Sequence, residues 1–154
     1  MRAATRMLEA LLNTEMQLHV EYCAQFGISE SQLESTPEAR ANMAYTRFVL
    51  ERGLAGDILD LHVALAPCLI GYGEIGARLA RDYAAELPDN PYRAWVETYA
   101  GAEYQSVVVE ANQLLDRLAQ IRATPERFDY LSETFRQATV LEVGFWDMGL
   151  HLSM

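Results

Sequence analysis

The sequence predicts an all-helical domain, a bundle of amphipathic helices closed on a shared core. Three observations carry that prediction. Apolar residues recur at three- and four-residue steps along nearly the whole chain. Thr-Pro-Glu tripeptides and glycines punctuate the ends of those stretches. No stretch alternates polar and apolar residues as a half-buried strand would. A single domain over residues 1–154 is expected, since this length suits one core and needs neither disulfide nor metal to hold it.

The first helix is expected over about residues 2–26, with Leu8, Leu11, Leu12, Glu15, His19, Tyr22 and Phe26 on one stripe and Gly27 closing it. A polar loop should follow through Ser35. Thr36-Pro37-Glu38 reads as a helix start: a capping hydroxyl, proline at the first helical position, then an acid at the positive dipole end. That helix carries Met43, Tyr45, Phe48 and Leu50 and stops at Gly53. Gly56-Asp57 opens a long helix to about Ala85, with Ile58, Leu61, Leu65, Cys68, Tyr72, Ile75 and Leu79 facing inward. A turn at residues 87–91 precedes a short helix around Tyr92–Tyr99. Another runs over about 102–121, with Val107, Val108, Ala111, Leu114, Leu115 and Leu118 on one face. Thr124-Pro125-Glu126 starts the last, which runs to about Leu150 with Leu131, Phe135, Ala138, Glu142, Phe145 and Gly149 on its stripe.

Composition narrows the function. The formal net charge of −10 argues against nucleic acid or an anionic membrane as partner. All twelve basic residues are arginine, so Schiff-base chemistry, which needs a lysine amine, is excluded. Two cysteines, Cys23 and Cys68, are too few for a disulfide framework and fit reduced thiols in the cytoplasm. The first residues run straight into an amphipathic helix without the apolar core of a signal peptide, and no apolar run is expected to reach the roughly 20 residues of a membrane span.

Three departures from the apolar pattern point to chemistry. Pro67-Cys68 interrupts the long helix: proline removes one backbone bond and loosens the turn beside an inward-facing thiol. Gly71, Gly73 and Gly76 follow, each costing roughly 1 kcal/mol against alanine in a helix, which asks for close approach of a ligand or a neighbouring helix. From the residue alone, Cys68 reads more readily as an inert small hydrophobe. Glu142 lies on the apolar stripe of the last helix, where burial raises a carboxyl towards the range useful for proton transfer; a structural carboxylate held by tyrosine or arginine is equally consistent with the position. Glu15 and His19 are spaced by four rather than the three of a di-metal site, with no second copy, so a satisfied polar pair is the better reading and no metal or cofactor is expected.

The stretch Ala66-Pro67-Cys68-Leu69-Ile70-Gly71-Tyr72-Gly73-Glu74-Ile75-Gly76 resembles the cysteine-bearing helix of TenA (thiaminase II) proteins. Asn90-Pro91-Tyr92-Arg93-Ala94-Trp95 through Tyr99, Glu142-Val143-Gly144-Phe145-Trp146-Asp147-Met148 and Ala44-Tyr45-Thr46 are similar to further elements of that family, in the same order. The resemblance implies a heme-oxygenase-like helical fold, a homo-oligomer (a tetramer), and an aminopyrimidine aminohydrolase that salvages degraded thiamin and also cleaves thiamin. It implies Cys68 as nucleophile, Glu142 as acid/base, and Tyr45, Tyr72, Tyr99 and Phe145 around the pyrimidine. The family's N-terminal helices, with their Tyr-x-x-Gln-Asp segment, find no match here, because the sequence contains no Gln-Asp dipeptide. A non-catalytic TenA-like protein that binds a ligand or a partner is the alternative reading.

Overall fold

A computed structural model describes residues 12–13 and 16–153. The chain forms two compact units that meet in sequence between Glu38 and Ala39. Within the first, α1 covers Met16–Gln25 and α2 covers Glu30–Ser35. Gly27 closes α1 as expected: it takes φ +75°, which only glycine adopts at little cost. Around it, the amide of Ile28 donates to the carbonyl of Cys23, and that of Gly27 to Ala24. His19 and Phe26 are exposed rather than inward-facing, while Leu8, Leu11 and Glu15 lie outside the described residues. The expected loop before Ser35 is instead α2, because Ser29 and Gln32 form a reciprocal capping box.

Thr36 therefore does not start the next helix. Its hydroxyl donates to the carbonyl of Gln32 at 2.8 Å and its amide to that of Leu33, so both are spent on ending α2. In the second unit α3 begins later, at Arg40, and runs to Ala55. At 124–126 the same tripeptide does start a helix, α8, from Pro125 to His151, with Glu126 in its first turn, although the Thr124 hydroxyl makes no capping hydrogen bond. Between them lie α4 (Ile58–Ala66), a π turn (Pro67–Gly71), α5 (Tyr72–Asp82), a 3-10 turn (Leu87–Asp89), α6 (Arg93–Ala100) and α7 (Ala102–Arg122). All regular elements among the described residues are helical, as the all-α reading of the sequence expects.

The π turn explains where the long helix departs from its expected face. Proline has no amide hydrogen to return to the preceding turn, and the backbone takes up the mismatch as one wide turn. Before it, Leu61, Leu65 and Cys68 pack against the core of Tyr45, Val49, Ala64 and Ala138. After it the fully buried residues are Gly73 and Gly76; Tyr72 is half-buried with its hydroxyl still reaching inward to Glu142, and Ile75, expected inside, is 37% exposed. One extra residue in the turn has moved the buried phase by one position. Two of the three glycines have the reason that their cost demands. A β-carbon at Gly73 would overlap the Val108 side chain, and one at Gly76 would stand 2.6 Å from Cβ of Tyr99. One at Gly71 would meet nothing within 4 Å.

The run Ile58–Asp82 is long and apolar enough to cross a membrane by length and composition, contrary to the sequence expectation. In the fold its α4 half is the central element, packed by α3, α7 and α8. Elsewhere the apolar stripes are less fully covered than their spacing predicts, with Phe135 at 48% and Val107 at 42% exposure.

One ion cluster holds three helix ends together. Asp57 caps α4 by accepting from the amides of Leu59 and Asp60, and Asp60 accepts from the Asp57 amide at 2.6 Å. Arg127, in the first turn of α8, donates to both oxygens of Asp60 at 2.9 Å and to Asp57 at 3.0 Å. The same guanidinium donates to the carbonyl of Arg122 at the end of α7. Arg127 holds the Asp57 carboxyl down at about 2.

Two predictions follow from this packing. Gly76→Ala should destabilise by about 1–3 kcal/mol through overpacking, whereas Gly71→Ala should leave stability unchanged or raise it by up to ~1 kcal/mol; urea titration of the two variants reads the contrast. Arg127→Met strands Asp60, which is 1% exposed, as a buried unpaired carboxylate. It should lower the thermal midpoint by roughly 10 °C, and adding Asp60→Asn should recover part of that loss.

Candidate active site

The π turn carries Cys68, and Tyr72 is the first residue after it. The Cys68 thiol donates to the carbonyl of Leu65 at 3.1 Å. The Tyr72 hydroxyl donates to Oε2 of Glu142 at 2.9 Å, bridging 70 residues of sequence. Glu142 is 6% exposed on the inner face of α8. From α3 comes Tyr45, 8% exposed, whose hydroxyl is buried beside both Cys68 and Glu142 and interacts with each without a direct hydrogen bond of standard geometry. Three separate stretches of helix thus bring Tyr45, Cys68, Tyr72 and Glu142 together.

Tyr99 joins this group through its ring, edge-on to Tyr72 at 5.4 Å. Phe145, three residues along α8 from Glu142, is partly buried. The α8 ring that meets Tyr72 is its neighbour Trp146, at 5.9 Å. Trp95 completes an aromatic wall, 4.5 Å from Tyr99, 5.7 Å from Trp146 and 6.0 Å from Tyr72. Neither tryptophan stood out in the sequence as a site residue. Their signal was spacing: Trp95 and Tyr99, like Glu142 and Trp146, are one helical turn apart and share a face.

Electrostatics set the protonation states. Burial raises the Glu142 carboxyl above its ordinary value, and the hydroxyls of Tyr72 and Tyr45 only partly oppose it. Burial, then the nearby Cys68 and Glu142, push the Tyr45 phenol well up. Tyr72 is pushed up by burial and then by Glu142, with Trp146 acting the other way. Both phenols therefore stay protonated as donors, while Glu142 can exchange a proton nearer neutrality than a free carboxyl. Among the described residues, no three His, Cys, Asp or Glu side chains converge in a way that would hold a metal ion.

The model of the TENA/THI-4/PQQC family matches residues 1–152. The chain is 37% identical over 153 residues to an uncharacterized protein of Haemophilus influenzae, covering 99% of this chain and 70% of that one. It is 35% identical over 155 residues to an aminopyrimidine aminohydrolase of Halalkalibacterium halodurans, covering 100% of this chain and 68% of the relative. Among solved structures it superposes with a TM-score of 0.88 on a TenA family transcription regulator from a Silicibacter species, at 47% identity, covering 97% of this chain and 67% of that one. A TenA homologue from P. horikoshii gives a TM-score of 0.79 at 25% identity, covering 93% of this chain and 64% of that one. The chain spans about two thirds of the length of these proteins.

The raised Glu142 carboxyl makes a prediction of definite sign. Its folded value lies above the unfolded one, so between the two the native state binds more protons and stability falls as pH rises. Glu142→Gln abolishes that titration. Its stability relative to the unmutated chain should therefore increase from about pH 4 to pH 7, as read by denaturant unfolding across that range.

Proposed function

The chain belongs to the TENA/THI-4/PQQC family, and from that premise we propose that it is an aminopyrimidine aminohydrolase of the thiaminase II type, with Cys68 as nucleophile and Glu142 as general acid/base. The observation that carries the reading is the buried Glu142 carboxyl, held by the Tyr72 hydroxyl at 2.9 Å with Tyr45 between it and Cys68. The aminohydrolase relative from Halalkalibacterium halodurans supports the substrate class.

An aminopyrimidine is a poor electrophile at its exocyclic methylene. The Cys68 thiolate adds to the ring carbon next to the one that bears the methylene, so the ring loses its aromaticity and its electron pair can expel the amine. Glu142, protonated, gives its proton to the ring nitrogen or to the departing amine. Water then adds to the exocyclic carbon with Glu142 as base, and expulsion of the thiolate restores the ring. When thiamin is bound, the same steps break the bond to the thiazolium nitrogen, which takes the electron pair and leaves as a neutral thiazole in place of the amine. Tyr45, Tyr72, Tyr99 and Phe145 provide flat apolar faces for the heterocycle, and Trp95 and Trp146 extend them.

A second reading, a TenA-like protein that binds without turnover, is favoured by one observation: the Silicibacter neighbour is described as a transcription regulator. Kinetics and calorimetry separate the two. For the enzyme, Cys68→Ser should abolish turnover of 4-amino-5-aminomethyl-2-methylpyrimidine. Glu142→Gln should lower kcat by roughly 10²- to 10⁴-fold while a pyrimidine analogue still binds. Analogue binding by the unmutated chain with no ammonia released would sink the enzymatic reading in favour of the binding protein.

A further inference from the structure

The π turn has been traced to Pro67, yet proline explains only why the turn opens and not what holds it in one register. Two neighbouring side chains of α7 hold it, one within the turn and one just beyond it. The Tyr104 hydroxyl donates to the carbonyl of Leu69, inside the turn and next to Cys68, at 3.0 Å. The Gln105 amide donates to the carbonyl of Gly73, next to Tyr72, at 2.9 Å. That same nitrogen donates to the carbonyl of Tyr99 at 2.8 Å, tying in the end of α6. Gly73 lets α7 come this close, since a β-carbon there would overlap Val108. The Tyr104 ring also packs on Tyr99 at 4.6 Å, which in turn meets Tyr72.

We propose that Tyr104 and Gln105 are positioning residues for the reaction, clamping the π turn so that Cys68 and Tyr72 are both held towards Glu142. This rests on the reading of Cys68 as nucleophile. Closing the π turn to an α turn would remove its extra residue's worth of slack and rotate everything downstream by about 100° relative to what precedes it. The carbonyls of Leu69 and Gly73, each one residue beyond a site side chain, are the points where a clamp opposes that change. Neither residue touches the reacting atoms.

The test measures turnover and thiol reactivity separately. Tyr104→Phe removes one donor and keeps the ring. It should lower kcat at least roughly tenfold through misplacement with KM nearly unchanged, and should change the iodoacetamide labelling rate of Cys68 several-fold while that of Cys23 and the thermal midpoint stay put. 4-Aminophenylalanine at position 104, which restores a donor, should rescue both. Gln105→Met provides the second arm and should act in the same direction. If Tyr104→Phe and Gln105→Met leave kcat and the Cys68 labelling rate unaltered, the clamp is overturned even though the enzyme works. If the unmutated chain shows no turnover but Cys68 labelling still responds to Tyr104→Phe and is rescued, the hydrolase reading fails and the clamp stands.

Discussion

A missing hydrogen is the constraint on which the site depends. Proline at position 67 cannot return an amide bond to the turn before it, and the long central helix answers with a π turn over Pro67–Gly71. Upstream, α4 offers Leu61, Leu65 and Cys68 to the core; downstream, α5 offers Gly73 and Gly76 to its neighbours. A helix without that extra residue could not present Cys68 to α3 and α8 and still bury two glycines against α6 and α7. The glycines and the proline are thus one device. The proline resets the phase, and the glycines let the reset helix pack closely.

Much of this was legible in the sequence, and what was not has physical causes. The proline–cysteine pair, the inward carboxylate at Glu142 and the tight glycines each break a local pattern, so each can be read from spacing alone. The phase shift at Ile75 was not legible, because periodicity shows that a proline disturbs a helix and not whether it kinks or widens. The two Thr-Pro-Glu tripeptides read identically, yet Thr36 ends the helix before it, because Ser29 and Gln32 make a stronger start upstream. The pairing of Asp60 with Arg127 spans 67 residues and joins helices whose order in space no local rule fixes. Trp95 and Trp146 were hidden differently: a large ring at helical spacing looks like core, and its place in a wall around Tyr72 emerges only from tertiary packing.

Asp60 and Glu142, both buried, show how the chain allots its polar partners. Asp60 receives a guanidinium at both oxygens and a backbone amide besides, the arrangement that keeps a buried anion satisfied. Glu142 is nearly as buried, but its partners are phenols that cannot carry positive charge at neutral pH. With twelve arginines in the chain, a cation was available to evolution for Glu142, and the fold sends one to Asp60 instead. A carboxyl kept only for architecture gains most from a permanent counter-charge. One held by neutral donors, in surroundings that penalise its anion, keeps its proton to higher pH than a free carboxyl does. Proton transfer draws on that shift and stability does not, which is the physical ground for proposing Glu142 for proton transfer and leaving Asp60 to the scaffold.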